Sequence, residues 1–74
     1  MPQRMTYEQI ADDLAARIES GEYAAGAQLP SYPQLATLYS VSYATAQRAI
    51  GVLRIRGLVV GFPRRGVFVR EPDE

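Results

Sequence analysis

The sequence predicts a small α+β domain, mainly α: three helices followed by a two-stranded β hairpin, with room for a third short strand. Three observations carry that expectation. Apolar residues recur at helical spacing in three separate segments, each opened by a Ser or Thr able to cap it. Two short runs rich in Val and Phe then flank a Pro-Arg-Arg-Gly turn. Finally, 74 residues suffice for one domain, and a domain of that size buries only about 60% of the surface its unfolded chain exposes.

The first helix opens at Thr6. Gln9 follows three residues later, the spacing of a capping box, and Tyr7, Ile10, Ala11, Leu14 and Ile18 then fall on one helical face. The helix is expected to end near Ser20, with Gly21 as its stop. Its other face carries Glu8, Asp12, Asp13 and Glu19, which suit the solvated side of a scaffold helix turned away from any anionic partner. Met1 to Met5 is expected to be a loose arm ahead of it. The expected organisation is therefore a flexible arm over 1–5, a folded domain over 6–70 and an acidic tail over 71–74.

Glu22 to Leu29 contains Gly26 and no clear period, so it is a loop with a short extended piece at Gln28-Leu29. After Pro30, Ser31 and Gln34 repeat the capping-box spacing, and Pro33 is tolerated in the first turn because its missing N–H costs no bond there. The second helix follows with Leu35, Ala36, Leu38 and Tyr39. Free N–H groups and the positive end of the helix dipole make its start a resting place for a phosphate, with Tyr32 within reach of the same group.

A tight turn, Ser40-Val41-Ser42, leads into the third helix. Val41 is a lone apolar residue where the chain reverses and plugs the corner between the helices, while Ser42 caps the third. Ala46, Ala49, Ile50 and Leu53 mark the buried face. Tyr43, Ala44, Thr45, Gln47 and Arg48 are then left outward. The helix runs to about Arg56 and stops at Gly57; Gly51 inside it costs about 1 kcal/mol relative to Ala unless it permits close packing. Two helices joined this way form a helix-turn-helix, which can seat its second helix in a DNA major groove. Tyr, Thr, Gln and Arg on the outward turns offer hydrogen bonds to base edges and phosphates.

Leu58 to Phe62 and Val67 to Val69 are β-like, and Pro63 to Gly66 is the turn between them. The hairpin forms a wing tipped by Arg64 and Arg65. Such a pair can straddle a phosphate backbone or enter a minor groove.

Charge distribution agrees with that surface although the net charge is zero. Residues 23–70 contain six arginines and no acid, a local charge of +6, between acidic ends. Local rather than net charge attracts phosphate. The absence of Cys and His removes disulfides, thiolate metal sites, the commonest metal ligand and the commonest general base. With the carboxylates clustered on one scaffold helix, the expectation is a non-enzymatic domain without cofactor or metal. Apolar runs are too short to span a membrane, so a cytoplasmic location is expected.

The motifs I-A-x-x-L-A-x-x-I-x-S-G-x-Y from Ile10, G-x-x-L-P-S from Gly26, V-S-x-x-T from Val41, G-L-V from Gly57 and R-G-V-F-V from Arg65 occur in that order. Together they resemble the N-terminal domain of GntR-type transcriptional regulators, over nearly the whole chain from Tyr7 to Val69. The resemblance implies a winged helix-turn-helix that binds a double-stranded DNA operator as a homodimer and regulates transcription, most readily as an operator-occupying repressor. It places the third helix in the major groove and the wing on the backbone or minor groove. Ser31, Ser42, Thr45 and Gly66 match the family pattern and carry over as backbone contacts. Family members often have Arg where this sequence has Pro33, Tyr43 and Gln47, which implies a different target sequence. Arg48 lies one position beyond the family's usual Arg, about 100° around the helix. The sites implied are Ser31, Tyr32, Ser42, Tyr43, Ala44, Thr45, Gln47, Arg48, Arg64, Arg65 and Gly66. Family members usually continue into an effector-binding domain that holds much of the dimer interface. This sequence stops five residues after Val69, so a weak dimer without DNA and no effector site within the chain are expected. The competing readings are a winged helix that binds a protein, and an architectural DNA-binding factor in recombination.

Overall fold

The computed structural model describes residues 5–71. Residues 1–4 of the expected arm and 72–74 of the expected tail lie outside the described residues. The elements are α1 (Tyr7–Glu19), α2 (Tyr32–Tyr39), α3 (Tyr43–Ile55), β1 (Val59–Phe62) and β2 (Gly66–Val69).

Local chemistry sets each helix boundary. Thr6 and Ser31 both form complete capping boxes, with Gln9 and Gln34 returning the bond to the cap backbone at 2.9 Å. Ser42 caps α3 by accepting from the Thr45 N–H at 3.1 Å. Ser20 caps the end of α1, Gly21 follows in the left-handed region, and Gly57 does the same after α3. Ser40 closes α2 in that conformation without being glycine, at φ 54°. The reversal into α3 requires it.

The core joins all the elements. Ile10, Ala11 and Leu14 of α1 meet Ala46, Ala49, Ile50 and Leu53 of α3, with Leu35 of α2 and Val59, Val67 and Val69 of the hairpin closing the cluster. α3 is the central element, packed against α1, α2 and β1. Truncating fully buried Leu53 to Ala would cost about 2–5 kcal/mol, a large fraction of the stability available to so small a domain. Val41 lies half-buried against this cluster, as its position in the corner requires. Met5 also packs there, so the end of the expected loose arm is seated. Leu38 is 57% exposed because Tyr39, one residue on, takes the inward side of the short α2.

β1 and β2 pair antiparallel with Val59 opposite Val69 and Phe62 opposite Gly66. Inward Val59, Val67 and Val69 anchor the hairpin, while Phe62 and Phe68 meet edge to face at 5.8 Å on its other side. The third short strand reduces to one bridge, Gln28 to Phe68. Around it, Leu29 N–H donates to the Val67 carbonyl and Val69 N–H to that of Ala27, both at 2.8 Å. Three helices and a wing on this scaffold make a winged helix-turn-helix.

Candidate nucleic-acid interface

The start of α2, the start of α3 and the wing converge on one groove. Its volume is about 560 Å³, and Ser31, Tyr32, Tyr43, Arg54, Phe62 and Arg64 are among the residues lining it. Capping explains two of its walls. Because Ser31 and Ser42 stop the chain from extending and turn it into a helix, both helix N-termini are fixed by side chains three residues away.

Tyr32 and Tyr43 are then brought together. Their rings meet edge to face at 5.6 Å and 79°, joining the first residues of α2 and α3. Tyr43 is half-exposed rather than free. Thr45 is also engaged, since its hydroxyl oxygen accepts from Ser42 Oγ at 2.9 Å. Ala44, Gln47 and Arg48 are exposed on the outward turns. Arg48 sits on the opposite side of α3 from the groove, its guanidinium 5.9 Å from the centre of the Tyr7 ring. There Tyr7, Ala44, Thr45 and Arg48 line a second depression between α1 and α3.

Arg64 and Arg65 lie exposed at the wing tip. The Arg65 N–H donates to the Phe62 carbonyl at 3.1 Å, closing a turn in which Arg64 adopts φ 65°. That position favours Gly or Asn, so placing Arg there costs about 1–2 kcal/mol. Gly66 follows at φ 112°, and Gln28 Nε2 occupies the space a Cβ would need. The same Gln28 amide donates to the Arg65 carbonyl at 2.8 Å, bracing the tip from the loop before α2.

The six arginines of the +6 segment do not share one face. Arg56 pairs with Asp12 of α1 at 2.9 Å, and Arg48 leans on Tyr7. Arg54 lies across Gly61 on the groove side of the wing, where a Cβ would collide with its guanidinium. Sequence reasoning passed over Arg54. Its signal was its place eleven residues, about three turns, after Tyr43 on the same side of α3. The acidic face of α1 is likewise more than solvated surface: Asp12 holds Arg56, and Asp13 accepts bonds from Tyr39 and Arg17.

The family model for bacterial regulatory proteins of the gntR family matches residues 6–69. The chain belongs to the GntR family. Among its relatives in Escherichia coli K12, an uncharacterized HTH-type transcriptional regulator, YjiR, is 40% identical over 65 residues. That match covers 88% of this chain and 14% of YjiR. A probable fructoselysine utilization operon transcriptional repressor of the same strain is 33% identical over 67 residues, covering 90% of this chain and 28% of the repressor. The chain thus spans a minor part of the curated relatives it matches. In three dimensions it resembles the AraR DNA-binding domain solved in complex with operator ORX1, with TM-score 0.83 and 28% identity over 93% of this chain and 81% of that one. Among the described residues, no helix of this GntR-family chain is long and apolar enough to cross a membrane.

Proposed function

We propose that this domain binds double-stranded operator DNA and regulates transcription by occupying it, as a repressor and as a homodimer assembled on the DNA. α3 enters the major groove with Tyr43, Ala44, Thr45 and Gln47, and Arg48 takes a phosphate at the edge of that groove. Ser31, Tyr32 and Ser42 hold phosphates at the two helix N-termini, and Arg64, Arg65 and Gly66 place the wing on the adjacent backbone or minor groove. The observation that carries this reading is the convergence of Ser31 and Tyr32 at the start of α2, Tyr43 at the start of α3 and Arg64 and Gly66 of the wing on one groove. The likeness to a domain crystallised with its operator supports it. In this reading the chain is a cytoplasmic, non-catalytic binding module.

The test is an NMR titration of the labelled chain with a random-sequence duplex at about 50 mM and then about 200 mM salt. Shifts at Ser31, Ser42 to Arg48 and Arg64 to Gly66 should appear at low salt and fade at high salt. If about four to six phosphates are neutralised per protomer, log K should fall against log salt with a slope of roughly −4 to −5. An absence of shifts at low salt would overturn the proposal in favour of a protein partner.

A further inference from the structure

We infer that the outward face of α3 reads A·T pairs, with Gln47 as the residue that selects adenine. The inference rests on the DNA-binding reading above and names the class of target that reading leaves open.

Arg48, Arg54, Arg56, Arg64 and Arg65 are placed to the sides of Gln47. Arg48 is drawn over Tyr7 on the α1 side, a position suited to a phosphate flanking the groove. Arg54 lies in the wing groove and Arg56 pairs with Asp12. Arg64 and Arg65 belong to the wing tip. Arg48, one turn after Ala44, leans toward the α1 side of this face. Among the described residues Gln47 is the group left on its other side to meet a base edge, where guanidinium pairing with guanine O6 and N7 would otherwise be the commonest specific contact.

The polar groups at the start of α3 are committed as well. Thr45 is bonded to Ser42 and Tyr43 is stacked edge-on against Tyr32. The Gln47 amide is exposed and has no hydrogen-bond partner among the described residues. A primary amide presents an acceptor beside a donor, the complement of adenine N6–H and N7. Guanine offers two acceptors at the same edge, so the amide oxygen would face O6 without a proton between them. Three residues earlier on the same surface, exposed Ala44 presents a methyl group, which matches the C5-methyl of thymine. Both contacts favour the same base pair.

The experiment is enrichment of duplexes with a fully randomised centre by the 74-residue chain, its Q47A variant and its Q47R variant, at about 50 mM salt. Circular dichroism checks the fold of each variant. Wild type should enrich a motif with adenine at one position per half-site, and replacing that adenine by guanine should weaken binding by about five- to a hundredfold. Q47A should lose discrimination at that position alone, and Q47R should transfer it to guanine. Guanine or cytosine enriched there by wild type, or an unchanged motif for Q47A, would overturn the inference. So would salt-sensitive binding with no enriched motif, which leaves the DNA-binding reading intact. A chain that retains no duplex at low salt would overturn that reading first and this inference with it.

Discussion

The phenol of Tyr39 donates a 2.6 Å hydrogen bond to Oδ2 of Asp13, fastening the last residue of α2 to the middle of α1. Arg17 Nε donates to the same oxygen at 2.9 Å and its Nη1 reaches Glu22 at 2.6 Å. α1 and α2 thereby meet at one carboxylate, and Arg17 ties Glu22 of the following loop to it.

That carboxylate titrates below its ordinary value, first because of the Tyr39 bond and then because of Arg17. A lowered folded pKa contributes stability that is present above the unfolded value, about 3.9, and lost as pH falls through the folded one. Asp13→Asn should therefore lower the urea midpoint at pH 7, and its deficit against wild type should shrink toward pH 3. A deficit unchanged between the two pH values would refute the linkage. Tyr39 is shifted upward, by burial first and then by the Asp13 bond. Its contribution is present below the unfolded value near 10 and lost as pH rises beyond it. Wild type should lose stability in that range, and Tyr39→Phe should not share this component.

Gly51 lies inside α3 with open space where a Cβ would stand. It does not serve close packing, so the helix bears its full conformational cost. Gly51→Ala should stabilise the domain by about 1 kcal/mol, raising the thermal midpoint by about 4–8 °C for a chain of this size. A midpoint that stays or falls would show that the position is crowded.

Arg64 occupies the left-handed position of the wing turn at φ 65°. Arg64→Gly should relieve that strain and raise stability by up to about 1 kcal/mol, while weakening duplex binding and flattening its salt dependence. Arg64→Ala keeps the backbone strain and removes the charge, so it should show the same weakened binding without the stability gain. Denaturant curves and binding isotherms on the two variants separate the effects; equal stabilities would argue against strain at this turn.

Ser42 both accepts from Thr45 N–H and donates to the Thr45 hydroxyl. Ser42→Ala should cost about 1 kcal/mol in chemical denaturation, and Ser42→Asp should recover most of it. Equal losses for the two substitutions would mean that the cap is not the source of the stability.

The features legible in the sequence were those decided within a few residues. Thr6 with Gln9, Ser31 with Gln34 and Ser42 with Thr45 are bonds across a separation of three, fixed by helix geometry once the residue types are present. Ala46, Ala49, Ile50 and Leu53 were readable as core for the same reason, since helical periodicity alone assigns them one face. Family membership was legible too, because its motifs are runs of such locally constrained positions.

Tertiary structure decided the contacts between distant segments. Tyr39 meets Asp13 across 26 residues and Gln28 braces Arg65 across 37, and no spacing rule connects either pair. Only docking of α2 against α1, and of the loop against the wing, brings those groups within hydrogen-bond reach. The same is true of charge. Composition gave one segment six arginines, but the direction in which α3 turns each side chain sends Arg48 to Tyr7, Arg54 to the wing and Arg56 to Asp12. Sequence by itself determined which helices form and which faces they bury, because helix–coil preference and amphipathic period are local properties. Which polar groups remain free on the outward surface was decided by tertiary packing, because a side chain's partner depends on the element that folds against it.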